Sequence, residues 1–232
     1  MLGDGAPRAL SDLFSLLGGR RAADEASALP TPLSQEPVFP TKALQKFLSC
    51  LAARPSPAVL DLGPVVGSNL TFFCEELGCK LFVEDLFRDL DRYAQQGEGS
   101  ADALPRFLAE RFPQPDASLD GVLCWDLFDY LDRPAAQALA QQLTRMLRVG
   151  GALMGFFTTV ASQDPWYIKF VIDDEKNLRQ RPYLAARARQ RVLQNRDIIK
   201  LFDGLRVSDS FLLKTNVREI LFRKPEYLGD RS

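Results

Sequence analysis

The stretch that decides the fold is "VLDLGPVVGSNLTFFCEELG", residues 59–78. An apolar run ends in Asp61, glycines follow at 63 and 67, and a segment with helical spacing comes next. The pattern reads as a buried strand, a tight loop and a helix. Glycine has no Cβ, so Gly63 and Gly67 let the main chain come close to a ligand. Val65 stands where such loops commonly carry another glycine. It narrows the loop but leaves the approach open as long as its φ is negative. The loop also lacks the G-x-G-x-x-G order that holds a pyrophosphate, so a nicotinamide-dependent oxidoreductase ranks last among the readings.

The segments around this stretch alternate. Upstream, "TKALQKFLSCLAARP" (41–55) sets apolar residues at 44, 47, 48 and 51 on one helical face, with Thr41 as N-cap and Pro55 as stop. Within the stretch, residues 68–78 predict a helix with Leu70, Phe73, Cys74 and Leu77 on one face, Ser68 as a cap and Gly78 as the stop. "KLFVEDL" (80–86) reads as a second strand. Residues 86–112 are mostly helical in period, and "LDGVLCWDLF" (119–128) is another strand. Residues 133–151 predict a helix with Pro134 in its first turn, an apolar face of Ala135, Leu139, Leu143, Met146 and Leu147, and an end at Gly150. "GALMGFFTT" (151–159) returns to a strand. Strands alternating with helices imply a parallel sheet covered on both faces. Residues 205–225 then read as two strands around a Lys-Thr-Asn turn, so an antiparallel pair closes the sheet.

Two regions stand outside this alternation. Residues 8–17 predict a short amphipathic helix, followed by a glycine- and proline-broken linker. The expected division is therefore an N-terminal helix and linker over 1–40 and a main domain over 41–232. Residues 160–196 are too long for an ordinary connection of ~2–6 residues and read as an inserted cap or lid. Trp166, Tyr167, Lys169, Phe170, Arg181 and Tyr183 are its candidate lid residues. The alternative is a helical arm packed on the domain or on a second subunit of a homodimer. Arg187, Arg189 and Arg191 read as a solvated face.

Composition excludes much chemistry. With Lys plus Arg at 29 against Asp plus Glu at 30, no large basic field exists, which disfavours nucleic-acid and anionic-membrane partners. No apolar stretch approaches the ~20 residues of a membrane-spanning helix, and the first residues lack the order of a secretion signal, so a cytoplasmic location is expected. Histidine is absent, which removes histidine metal sites and every hydrolytic triad with a histidine base. The four cysteines, at 50, 74, 79 and 124, form no C-x-x-C pair, so no metal site is expected.

Taken together, these residues resemble the class I S-adenosylmethionine-dependent methyltransferases over about residues 42–225. "VLDLG" is similar to the family's first motif, and "FVEDL" to its second strand with a terminal acid. Residues 116–153, with "RMLRVGG" at the "R-x-L-[RK]-P-G-G" turn and Val149 in place of proline, are the closest match. The resemblance implies a Rossmann-like, doubly wound, mostly parallel seven-stranded sheet with an antiparallel C-terminal hairpin, and S-adenosylmethionine as cofactor. Asp61, Gly63, Pro64 and Gly67 then border the methionine part of the cofactor. Asp85 aligns best with the acid that accepts from the ribose hydroxyls, with Glu84 one residue away; strand alternation lets only one of them face the pocket. Asp102 and Ala103 resemble the segment that meets the adenine, with a helix cap by Asp102 as the alternative. Trp125 falls beside the methyl-transfer centre, where an aromatic ring attracts a sulfonium or fills the core. Asp120-Gly121 reads as structural.

The implied reaction is direct displacement of a methyl group by a nucleophile on an unidentified small-molecule acceptor. Asp126 and Tyr167 are the candidate bases, with Asp129 and Tyr130 behind them. No "NPPY"-type sequence follows the fourth strand, which speaks against the amino-methylating enzymes that use it. The rival reading is a catalytically silent relative kept as a binding or assembly module.

Overall fold

The computed structural model describes residues 36–95, 103–161, 166–184 and 192–226. The compact unit begins at Pro37. Its elements in order are β1 (Val38–Pro40), α1 (Ala43–Leu51), β2 (Ala58–Asp61), α2 (Gly67–Thr71), β3 (Lys80–Val83), α3 (Leu86–Gln95), α4 (Ala103–Glu110), β4 (Leu119–Trp125), α5 (Arg133–Met146), β5 (Leu147–Thr158), β6 (Trp166–Asp174), β7 (Asn177–Leu184), α6 (Asn195–Leu201), β8 (Arg206–Leu212) and β9 (Val217–Arg223). The expected helix at 8–17 and the arginines at 187, 189 and 191 lie outside the described residues.

The main sheet runs β3-β2-β4-β5-β9-β8. Strands β3, β2, β4 and β5 are mutually parallel, while β9 runs antiparallel to β5 and β8 antiparallel to β9. The fold class is thus the doubly wound α/β sheet with the closing hairpin that the alternation predicted. It departs from the expectation in strand number: among the described residues the main sheet has six strands, not seven. After β3, Leu104 and Leu108 of α4 are buried one helical turn apart. That spacing sets a helix against the core over Ala103–Glu110.

The insertion is the second departure. Its described part is an antiparallel hairpin, β6–β7, and β1 pairs with β7 to make a separate three-stranded sheet. Residues 38–40, read as linker, therefore belong to a strand. The hairpin buries side chains on both faces, Tyr167 of β6 in one core cluster and Phe170, Ile172 and Leu178 in the other, and its cross-strand pairing makes it strands rather than a helical arm.

Two helices end differently from their sequence patterns. α2 passes into a π-helical turn over Phe72–Glu76, which rotates the following residues. Asn69, Phe72 and Phe73 are buried instead of the expected Leu70, Phe73, Cys74 and Leu77 face, and Val66 rather than Ser68 is the N-cap position. Helix α5 is capped by Asp132, whose Oδ1 accepts from the Ala135 amide at 2.9 Å, and it stops at Met146, before Gly150. Gly150, with φ +74°, instead sits inside β5, where the strand shifts register against β4.

Helix α1 covers one face of the sheet, and it packs closely because Gly121 lies beneath it. A Cβ on Gly121 would stand 2.7 Å from Phe47 Cζ. The adjacent Asp120 accepts from the Ala58 amide at 2.9 Å and pairs with Arg148 at 3.1 Å, so the Asp-Gly pair is structural as expected. At its N-terminus, Thr41 Oγ1 accepts from Leu44 at 3.2 Å, and the fully buried Glu219 of β9 accepts from the Lys42 and Ala43 amides at 3.0 Å. A carboxylate there satisfies amides that the helix leaves open and meets the positive end of its dipole. No helix among the described residues is long and apolar enough to cross a membrane.

Candidate active site

The chain runs from β2 to β3 on one side and then crosses to β4 on the other. The switch point of the sheet therefore falls between the carboxyl ends of β2 and β4, where open α/β sheets bind ligands. Asp61 ends β2 and Trp125 ends β4. The two meet across the gap: Trp125 Nε1 donates to Asp61 Oδ1 at 2.6 Å, and the Gly63 amide donates to the same oxygen at 2.8 Å. Asp61 is 3% exposed, and burial pushes its carboxyl up to about 6; the Gly63 and Trp125 hydrogen bonds oppose that rise and the nearby Asp85 charge adds to it.

The two glycines of the loop have different neighbours. A Cβ on Gly63 would lie 2.7 Å from Trp125 Cδ1, so this glycine makes room for the indole. A Cβ on Gly67 would meet nothing within 4 Å, which leaves open space at the start of α2. Pro64 is buried between them. Val65 is exposed and is not among the residues with positive φ, so its side chain points away from the buried part of the loop.

The acids after β3 separate as alternation requires. Glu84 turns to Arg111, with its carboxylate 2.7 Å from the guanidinium. Asp85 caps α3 by accepting from the Arg88 amide at 3.1 Å, and it faces the insertion, with Lys169 and Tyr183 among its charged and titrating neighbours. Burial raises the Asp85 carboxyl, with the Arg88 amide pulling against it. Asp102 lies outside the described residues, and Ala103 opens α4, half-buried.

The hairpin roofs this edge. Phe170 of β6 stacks on Trp125 with ring centroids 5.2 Å apart and planes 8° apart. Tyr167, fully buried, lies within 4.9 Å of Phe87, 4.8 Å of Tyr130 and 5.5 Å of Tyr183, measured between centroids. Lys169 Nζ stands 4.9 Å above the Tyr183 ring. Asp126 is buried with its Oδ2 3.5 Å from the Tyr130 hydroxyl, which also donates to the Trp166 carbonyl at 2.9 Å. Asp129 is held in the fold by accepting from the Thr158 amide at 3.0 Å.

Asn69 escaped the sequence reading. Its Nδ2 donates to the Phe170 carbonyl at 2.9 Å and its Oδ1 accepts from the Ile172 amide at 2.9 Å, so it pins α2 to the hairpin. The available signal was a polar residue one position off the expected apolar face, which the π turn later explains.

Residues 60–155 match the family model described as "Methyltransferase domain". That stretch is therefore similar to the methyltransferase domains, a class whose cofactor is S-adenosylmethionine. Among curated proteins no relative matches. Similar solved structures include the 1,6-didemethyltoxoflavin-N1-methyltransferase of Burkholderia thailandensis with bound 1,6-didemethyltoxoflavin and S-adenosylhomocysteine, at 17% identity over 96% of this chain and 94% of that one, TM-score 0.46. A second is the glycopeptide N-methyltransferase MtfA complexed with S-adenosylmethionine, at 16% identity over 84% and 99%, TM-score 0.44. A third is an S-adenosylmethionine-dependent methyltransferase from Clostridium acetobutylicum, at 13% identity over 80% and 93%, TM-score 0.45.

The residues suit the cofactor at two points. Asp85 is an acid beyond the second strand of the parallel run, and Gly67 opens the loop toward free space. At Gly63 the indole of Trp125 already lies against the main chain.

Proposed function

We propose that this protein is a methyltransferase acting on a small-molecule acceptor, with the β6–β7 hairpin as the wall of the acceptor side. The observation that carries this reading is the roofing of the switch point: a buried acid, a strand-end acid and the rings and lysine of the hairpin converge on one sheet edge. S-adenosylmethionine, when bound, supplies an electrophilic methyl group. The protein's own part is placement. Gly67 and the backbone around it form the open side of the loop, and Asp85 offers acceptor oxygens to a pair of hydroxyls. Tyr167, Tyr183 and Phe170 exclude water. Holding two reactants in line supplies roughly 7–11 kcal/mol of a displacement barrier, so a strong base is not required. If the acceptor needs deprotonation, Asp126 is the better placed of the two candidates. Tyr167 is enclosed in its ring cluster and serves packing. The near-balance of charge supports a small acceptor over nucleic acid, and the four free cysteines support a reducing, cytoplasmic setting.

The second reading, a catalytically silent module, draws on Val65 in the loop and on the indole against Gly63. Calorimetric titration with S-adenosylhomocysteine at millimolar concentration separates the two. Heat of binding and a rise in melting temperature are expected; neither heat nor shift would leave only the silent module.

Asp85→Ala is expected to weaken that binding about tenfold to a hundredfold, the loss of about 1.5–3 kcal/mol for a hydrogen bond to a charged group. Glu84→Ala is expected to change it little, because Glu84 is engaged by Arg111. Titration of both variants checks this, and the reverse ranking would move the role to Glu84.

A further inference from the structure

Trp125 is in an unusual position for a residue at a ligand-binding strand end. It holds a left-handed backbone conformation, φ +49°, which a bulky side chain adopts at a cost. It is 2% exposed, and its indole spans the switch point to Asp61, lies against Gly63 and stacks on Phe170. The crevice that the topology sets aside for a ligand is thus bridged by the protein's own side chain. Phe170, in turn, is anchored through its carbonyl by Asn69 at the start of α2.

We propose that Trp125 is a gate: its indole closes the crevice between β2 and β4, and the cofactor enters by displacing it from Asp61. This rests on the methyltransferase reading above. The indole N–H satisfies the buried Asp61 carboxylate. An ammonium such as the one on the methionine end of the cofactor competes for the same oxygen and meets it with a full charge. When the indole leaves, its stack with Phe170 is lost. Cofactor occupancy is therefore coupled to the hairpin that walls the acceptor side, so the acceptor side is rebuilt only after the cofactor is in place. The gate predicts that the cost of opening lowers the apparent affinity for the cofactor by the fraction of time the crevice is open.

The chain has two tryptophans, so Trp166→Phe leaves Trp125 as the only indole reporter. The contact of Trp166 with Tyr130 is through its carbonyl and survives that change. In this background, saturating S-adenosylhomocysteine is expected to shift Trp125 emission to the red and to increase its quenching by acrylamide. Trp125→Phe, in an otherwise unaltered chain, keeps a ring for Phe170 but removes the N–H donor to Asp61. It is expected to bind S-adenosylhomocysteine about tenfold more tightly than the wild type, with circular dichroism confirming the fold. Binding with unchanged Trp125 emission, or equal or weaker binding by Trp125→Phe, overturns the gate and leaves the methyltransferase reading intact. Binding by neither protein overturns both.

Discussion

Tyr167→Ala is expected to destabilise the protein by about 3–5 kcal/mol, the range for removing a buried aromatic ring from a packed core. Tyr167 is fully buried, and its ring meets Phe87 of α3, Tyr130 after β4 and Tyr183 of β7. Truncation leaves a cavity among three rings held by different elements, so collapse around it is restricted. The measurement is urea unfolding, read as a lower midpoint at an unchanged slope. A loss below about 1 kcal/mol would mean that the hairpin is a loosely attached lid. The same burial governs the effect of exchanging residues 160–196 for a short Gly-Ser linker. That exchange also deletes Phe170, Ile172 and Leu178 from the core, so loss of the fold is expected rather than a selective loss of turnover.

Asp61→Asn is expected to remove a stability change of about 3 kcal/mol between pH 4 and pH 7. Burial raises the folded-state carboxyl from 3.8 to about 6, so the native protein holds a proton that the unfolded chain has released. Stability then falls as pH rises through this window, at about 1.36 kcal/mol per pH unit between the two pKa values. Below pH 4 both states are protonated and the penalty vanishes; above pH 6 it is complete. Asparagine keeps an oxygen for the Trp125 and Gly63 donors, which share Oδ1, and carries no charge. The variant is expected to be more stable than wild type at pH 7 and to match it near pH 4, measured by urea unfolding across the range. Parallel pH profiles for the two proteins would show that Asp61 does not hold the raised value.

The titration change and the gate arise from one placement, which no local pattern in the chain reveals. Asp61 reads in sequence as the acid closing a buried strand, and that much is correct. Its burial and its partner depend on Trp125, 64 positions away, reaching across the switch point. The separation of Glu84 from Asp85 was legible because adjacent extended residues face opposite sides, and Arg111 engages Glu84. The glycines looked alike in sequence. Their difference, an indole against Gly63 and open space at Gly67, comes from what the sheet brings beside them.

The alternation of strands and helices from β2 to β5, the parallel sheet and the closing hairpin are legible in the amino-acid order alone. Periods of 2 and 3.6, caps and stops are written in neighbouring residues, because the backbone geometry that demands them is local. Long-range packing settled the rest. Residues 103–110 became a helix because Leu104 and Leu108 pack against the core. The insertion became strands because Tyr167, Phe170 and Leu178 found a core to enter. Asn69 gained its role from Phe170, 101 positions away, and Glu219 capped a helix 177 positions upstream. Each of these is a choice among locally acceptable states, and it was made by burial and hydrogen bonding between segments that only the folded chain brings together.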